Sequence, residues 1–385
     1  MSTPLAELSP TAHACALDDH PLFDRHQDPI SQAVCYTLRE RLGEVHKGLY
    51  FVRPSVCGPG QWLWFSVCNP PSPQPRLACV SLDPSRPELR LFPGSMLNGN
   101  PLVEPGGDSA VVPVGSGLYR FRVDGSWELL WRMPDEVLKG RHLFKLCTEV
   151  TQSCDGRLIL LDSEIGNVFY IATLELATAD YRPLRHFARR HYHTAFSLHD
   201  PTLFMVNLGQ NIDPITGIRT DMDVRTWVMD TTLTRYEPMD PSLWFKHTSM
   251  GCHEWWTPSG KINWCDYNEG IWEIELPSRA KRLVWSRPLI HGQVDPAERW
   301  YVGDANCYNW NDRKPCSVWL FDRLRQAEVP IVSRMPPQPL PWPDFRAYHI
   351  DPHPCFSDDG HWISFTSTLD GSVNVSLCPM GQFKA

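Results

Sequence analysis

Four histidines stand a few residues ahead of turns in well-separated parts of the chain. They are His193 in HTAFSLHDP, His253 in CHEWWTPSG, His291 in HGQVDPAE and His353 in HIDPHPCFSDDG. Imidazole is the commonest side-chain ligand for transition metals and the usual general base near neutral pH. A single histidine in such a stretch is more often a satisfied core residue. Four at similar distances before their turns read differently: as equivalent positions of a repeat they would line one end of a shared channel. Metal binding and proton abstraction are the chemistries that arrangement offers.

Other catalytic signatures are missing. There is no G-x-S-x-G elbow, so a serine-hydrolase nucleophile is lacking. His253-Glu254 has no second histidine at the zincin position, and neither a P-loop nor G-x-G-x-x-G occurs. No GH…WD signature marks a scaffold-type repeat.

The elements that must carry these histidines are short. From about Lys47 an apolar stretch, a turn and further apolar stretches recur, with turns at Gly58–Gly60, Gly106–Asp108, Asp155–Gly156, Asp200–Pro201, Ser259–Gly260, Asp295–Pro296 and Asp359–Gly360. Three or four strands per unit, repeating every 35–65 residues or so, is the spacing of propeller blades. Seven landmarks predict a single all-β, seven-bladed β-propeller over residues 27–385, with residues 1–26 as a loosely ordered lead-in. Ser31–Glu44 is helix or strand by pattern. No Gly/Ser-rich linker divides the chain, which disfavours a pair of β domains, and the Pro-rich Met335–Pro343 reads as a blade-to-blade connection.

Composition agrees. The 385 residues include 36 Pro and 16 Trp, and proline is excluded from helix interiors and central strands, so short elements joined by turns are expected. A net charge of −8 without a basic stripe argues against a nucleic-acid partner. The thirteen cysteines are odd in number and irregular in spacing, no signal-like start is seen, and no apolar run is long enough to span a membrane. A cytoplasmic protein with reduced thiols is the expectation.

The segment HIDPHPCFSDDGHWISFTSTLDGSVNVSL (349–377) resembles the closing blade of the oligogalacturonate lyases, with its His-Pro-His-Pro-x-Phe segment and a strand ending in Phe-Thr-Ser. HKGLYF (46–51), HTAFSLHDPTLFMV, RTWVMD (225–230), CHEWWTPSG and HGQVDPAERWYVGDA (291–305) resemble that family's other segments, in the family's order, over roughly residues 28–380. The resemblance implies a lyase cleaving short uronate oligosaccharides by β-elimination with a divalent metal, Mn²⁺ foremost and Fe²⁺ or Zn²⁺ as alternatives. By the same resemblance His291 and His353 are metal ligands, completed by His349 or Asp351. His253 is the general base, Arg225 holds the carboxylate or developing anion, and His193 lines the substrate pocket.

The chain departs from the family where it has Asp351 two residues before His353 and Tyr348 in place of a glutamine. On a strand, residues two and four apart share a face, so His349, Asp351 and His353 would all address one ion. Two other functions compete: a propeller glycoside hydrolase with paired carboxylates, and a non-catalytic sugar-binding propeller. Trp255, Trp256 and Trp310 would stack on sugars in any of the three, unless they simply pack.

Overall fold

The computed structural model describes the chain except residues 1–5, 8–14, 16, 59–60, 188–189, 210, 213–215, 217–218, 221–223, 241–250, 308–309, 311–313, 341–347 and 385. Helix is scarce among the described residues: Asp135–Leu138, a 3₁₀ turn at Met380–Phe383, and the helical residues Cys307, Trp310 and Tyr348. Seven sheets of four or five strands, antiparallel apart from one short parallel edge pairing, are arranged as the blades of a β-propeller, and Asn211–Ile212 with Arg219–Thr220 forms a separate two-stranded ribbon.

The inner strands of blades 1 to 7 are Val45–Lys47, Leu102–Val103, Thr151–Gln152, His191–Phe196, Gly251–Trp256, His291–Val294 and Cys355–Phe356. Every turn landmark of the sequence lies between the inner strand of a blade and the second strand (residues 59–60 fall outside the described set). Local chemistry sets these corners: Gly107, Gly156, Gly260 and Gly360 all hold φ between 68° and 84°, where a side chain is strained. At Gly107 a Cβ would also come within 2.2 Å of the Cys57 carbonyl oxygen of the preceding blade.

No blade can bury itself. Successive side chains of a strand point to opposite faces, so each central strand feeds two interfaces. Leu160 of blade 3 packs with Phe204 and Met229 of blade 4, whereas its neighbours Ile159 and Leu161 pack with Val111 and Leu118 of blade 2. The buried apolar residues accordingly fall into seven clusters, one at each junction between consecutive blades around the ring.

The ring closes through the chain ends. The last blade takes three strands from the C-terminal part and two, Val34–Leu38 and Phe23–Gln27, from the N-terminal part. Tyr36 and Thr37 register with Leu377 and Ser376, and the Gln382 side chain bridges the N–H and carbonyl of Val34 (2.9 and 3.0 Å). The propeller therefore begins before residue 27. Phe23 and Leu17 are buried, and Ala6–Glu7 pairs in parallel with the outer strand of blade 6. The ambiguous Ser31–Glu44 contains a strand, because Val34–Leu38 must supply a row of hydrogen bonds to the closing sheet. Met335 ends the outer strand of blade 6, and the Pro-rich residues after it lead towards blade 7, with 341–343 outside the described set.

Candidate functional site

The inner strands of blades 4 and 5 each carry a register shift, between Tyr192 and Ala195 and between Cys252 and Trp255. Within these bulges His193 and His253 sit at φ 51° and 58°, and His353, two residues ahead of the blade 7 inner strand, sits at 45°. Left-handed backbone is unfavourable for a non-glycine residue, and bulges re-aim side chains. His291 reaches the same level without one, since blade 6 pairs in unbroken register from His291↔Asp304 to Val294↔Tyr301.

The side chains converge. The ring centroid of His291 lies 4.2 Å from those of both His253 and His353. Tyr50 of blade 1 stacks on His193 at 4.8 Å and meets His353 edge-on at 5.0 Å. Arg225, just ahead of the third strand of blade 4 (Thr226–Asp230), donates from Nε to Glu254 Oε1 of blade 5 and from a terminal nitrogen to the Tyr192 hydroxyl (both 2.8 Å).

Among the described residues, ligand atoms of His291, Asp351 and His353 all lie within 4.8 Å of one another. His349 stays outside that set: it is exposed and pairs with Asp351 Oδ2 at 3.3 Å. The alternation expected of a strand does not apply, because the strand begins only at Cys355 and His349 and His353 are both left-handed (φ 47° and 45°). The turn through 349–353, rather than a pleat, brings Asp351 and His353 to His291.

Asp304 organises the cluster. One of its carboxylate oxygens accepts from the His291 backbone N–H (2.9 Å), and the other meets His291 Nδ1 (2.9 Å) and accepts from the His353 backbone N–H (3.2 Å). A carboxylate on Nδ1 fixes the tautomer and turns Nε2 towards the cluster, the usual support of a ligating histidine. His291, Asp304 and Cys307 form a second possible grouping. It fits an ion less well, since Asp304 is already engaged and burial, with Asp304 beside it, pushes the Cys307 thiol well above its ordinary range.

Protonation follows burial. Desolvation, reinforced by His291, keeps His253 and His353 well below the usual imidazole range, so both are neutral at pH 7. His291 is equally buried, but against that desolvation Asp304, joined by Asp351, raises it. His253 Nδ1 donates to the Ile290 carbonyl (2.6 Å), with the Tyr267 hydroxyl also at 3.1 Å. The lone pair of the neutral ring is therefore on Nε2. His353 Nε2 is buried without a hydrogen-bond partner, an orphan that a metal ion would satisfy.

Sequence reading overlooked Asp304, Glu149 and Tyr50. Counting outward from the Asp295–Pro296 turn pairs His291 with Asp304, so that residue had a signal. Glu149 occupies the blade 3 place corresponding to the histidines, six residues before Asp155 as His253 is six before Ser259, and meets His193 Nδ1 at 2.5 Å. Tyr50 had no signal. Trp255, Trp256 and Trp310 are buried in the clusters between blades.

Fold and site together define a seven-bladed β-propeller with a histidine–carboxylate cluster on and just ahead of its inner strands. Solved structures of this fold include an oligogalacturonate lyase in complex with manganese, at a TM-score of 0.72 and 15% identity over 97% of this chain and 98% of that one. Another is an oligogalacturonate lyase from Vibrio parahaemolyticus, at 0.72 and 12% over 94% and 98%. No family model and no curated protein matches the sequence. No described helix is long and apolar enough to cross a membrane.

Proposed function

We propose that the protein is a metal-dependent lyase that cleaves short uronate oligosaccharides by β-elimination. The observation that carries this reading is the adjacency of a neutral, backbone-oriented imidazole, His253, to the His291–Asp351–His353 cluster. The two-histidine, one-carboxylate donor set suits Mn²⁺, with Fe²⁺ or Zn²⁺ as alternatives, and the orphaned His353 Nε2 fits such an ion. A bound divalent cation supplies a Lewis acid that offsets the second negative charge developing beside a uronate carboxylate.

The chain's own groups divide the remaining work. His253 Nε2 takes the proton α to the carboxylate, and its Nδ1 contact with Ile290 keeps the ring in the tautomer that can accept it. Arg225, clamped by Glu254 and Tyr192, presents a permanent positive charge to the carboxylate or developing anion. His193, oriented by Glu149, lines the sugar pocket. Neutral histidine suits this task because a general base works best with its lone pair available at the working pH.

Incubation with digalacturonate and trigalacturonate, with added Mn²⁺, should release unsaturated uronate, read as new ultraviolet absorbance. His253→Ala should lower turnover by about 10²–10⁴-fold while elemental analysis finds the same metal content as wild type. Metal-loaded wild-type protein that never develops the absorbance on any uronate oligomer would sink the reading, and full turnover in His253→Ala would remove that residue from the role of base.

A further inference from the structure

A second concavity lies further along the same inner strands, where the histidine cluster does not reach. Ala195, Trp255 and Gln293 line it two residues beyond His193, His253 and His291, and its volume is about 360 Å³. Phe51, wholly buried, separates the two regions: its ring contacts His291 at 5.4 Å and His353 at 6.2 Å on one side, and Trp255 at 6.1 Å.

The lining is mainly apolar, with Phe196, Val294 and Phe356 prominent, yet it contains two stranded donors. Arg53 is only 8% exposed, its Nε is buried without a hydrogen-bond partner, and among the described residues its guanidinium forms no ion pair. The indole N–H of Trp255, 3% exposed, is likewise unpartnered. Glu149 is a buried carboxylate in electrostatic reach of Arg53; one of its oxygens meets His193 Nδ1, and the other has no hydrogen-bond partner. Asp358 also lines the cavity, but it is exposed and accepts from the Gly58 N–H (2.9 Å).

A buried guanidinium that no carboxylate meets at hydrogen-bond distance is costly, and arginine does not escape the cost by losing its proton. Its planar fork matches a carboxylate, and an apolar cavity with a few convergent polar groups is the form of a small-molecule site. We propose that this cavity binds a small carboxylate with an apolar body, its head group on Arg53 and Trp255 Nε1 and its body against Phe196, Val294 and Phe356. A strongly hydrated anion such as phosphate would lose its water to an apolar lining and gain little. The cavity shares no lining residue with the histidine cluster, Glu149 being an electrostatic link from Arg53 to His193, and the proposal stands whether or not the protein is a lyase.

The test uses full-length protein dialysed free of divalent cations, so that the histidine cluster cannot recruit the probe through a metal. Calorimetric titration with benzoate should give saturable one-site binding, at least about tenfold tighter than benzamide and with no comparable signal from inorganic phosphate. Arg53→Met should weaken benzoate by about tenfold or more without changing the probe's aromatic contacts. A crystal soaked with 4-bromobenzoate gives a reading that needs no variant: the bromine should appear among Phe196, Val294 and Phe356. Absence of saturable binding, equal affinity for benzamide, undiminished binding by folded Arg53→Met, or bromine located only elsewhere would each overturn the proposal.

Discussion

Single side chains in this protein are held in chosen protonation states by what surrounds them. Asp304 does this for His291, and it also fixes the backbone entering His353. Asp304→Asn keeps the shape but loses the charge that sets the imidazole tautomer. It should weaken binding of Mn²⁺ by about 10–100-fold, measured by metal titration, with little change in thermal stability. Two other histidines report on stability rather than chemistry. Burial pushes His46 down to about 3 and His191 down to about 4. His46 is satisfied by Asn374 and by the Leu42 N–H (both 3.0 Å), so it is structural. His191 lies between Phe169 and Phe187 with neither ring nitrogen partnered. Because these native values are depressed, the unfolded chain takes up protons first as pH falls below about 6.5. Their contribution is whole above that pH and declines towards the native values, by about 1.4 kcal/mol per pH unit for each histidine. His191→Leu removes one such proton and sacrifices no hydrogen bond. Its melting temperature should fall less steeply than wild type between pH 6.5 and pH 4, and equal slopes would refute the assignment.

The inner strand is the element that turns a histidine into a site residue. A regular pleat would send alternate side chains into the two blade interfaces; the left-handed residue in each bulge diverts one of them towards the ring axis. That geometry makes an inverted substitution order. In an ordinary strand glycine is worse than alanine, but at φ 58° the Cβ itself is the burden. His253→Gly should therefore be more stable than His253→Ala by about 1 kcal/mol, measured by urea unfolding, and His193 should behave alike. An alanine variant equal to or better than glycine would show that the bulge does not persist. His291 provides the internal contrast, since its unbroken register predicts the usual order there.

The ring as a whole is cooperative, since each blade leaves two apolar faces that only neighbours can cover. The seal is the pairing of Val34–Leu38 with Asn374–Pro379, reinforced by Thr37 Oγ1 on Ser376 Oγ at 2.8 Å. Deleting residues 1–40 uncovers that edge and the blade 7–blade 1 interface together, so the truncated chain should lose its cooperative thermal transition, read by near-ultraviolet circular dichroism, and aggregate through the exposed strand. A sharp transition within a few degrees of the full-length protein would show that the seal is dispensable. Much of this architecture was legible before any coordinates. Turn residues such as Asp155-Gly156 and Ser259-Gly260 act locally, through positive φ and side-chain hydrogen bonds, so the seven corners, and with them seven blades, could be counted along the chain. The candidate histidines were legible for the same reason, being measured from those corners. The N-terminal strands were not, because Val34–Leu38 joins the blade by pairing with residues more than three hundred positions away, and Phe23–Gln27 is added to the sheet only through Val34–Leu38. Nor was the choice of Asp351 over His349, which depends on a left-handed turn that periodicity does not encode, or the partnership of Tyr50 with His193, which exists only across the ring. The sequence by itself determined the repeat and the kinds of candidate side chain it places near the corners, since both are read along the chain from local turn chemistry. Which of those side chains meet, and which donor is left buried without a partner, was decided only by blade stacking, which joins positions that no spacing along the chain relates.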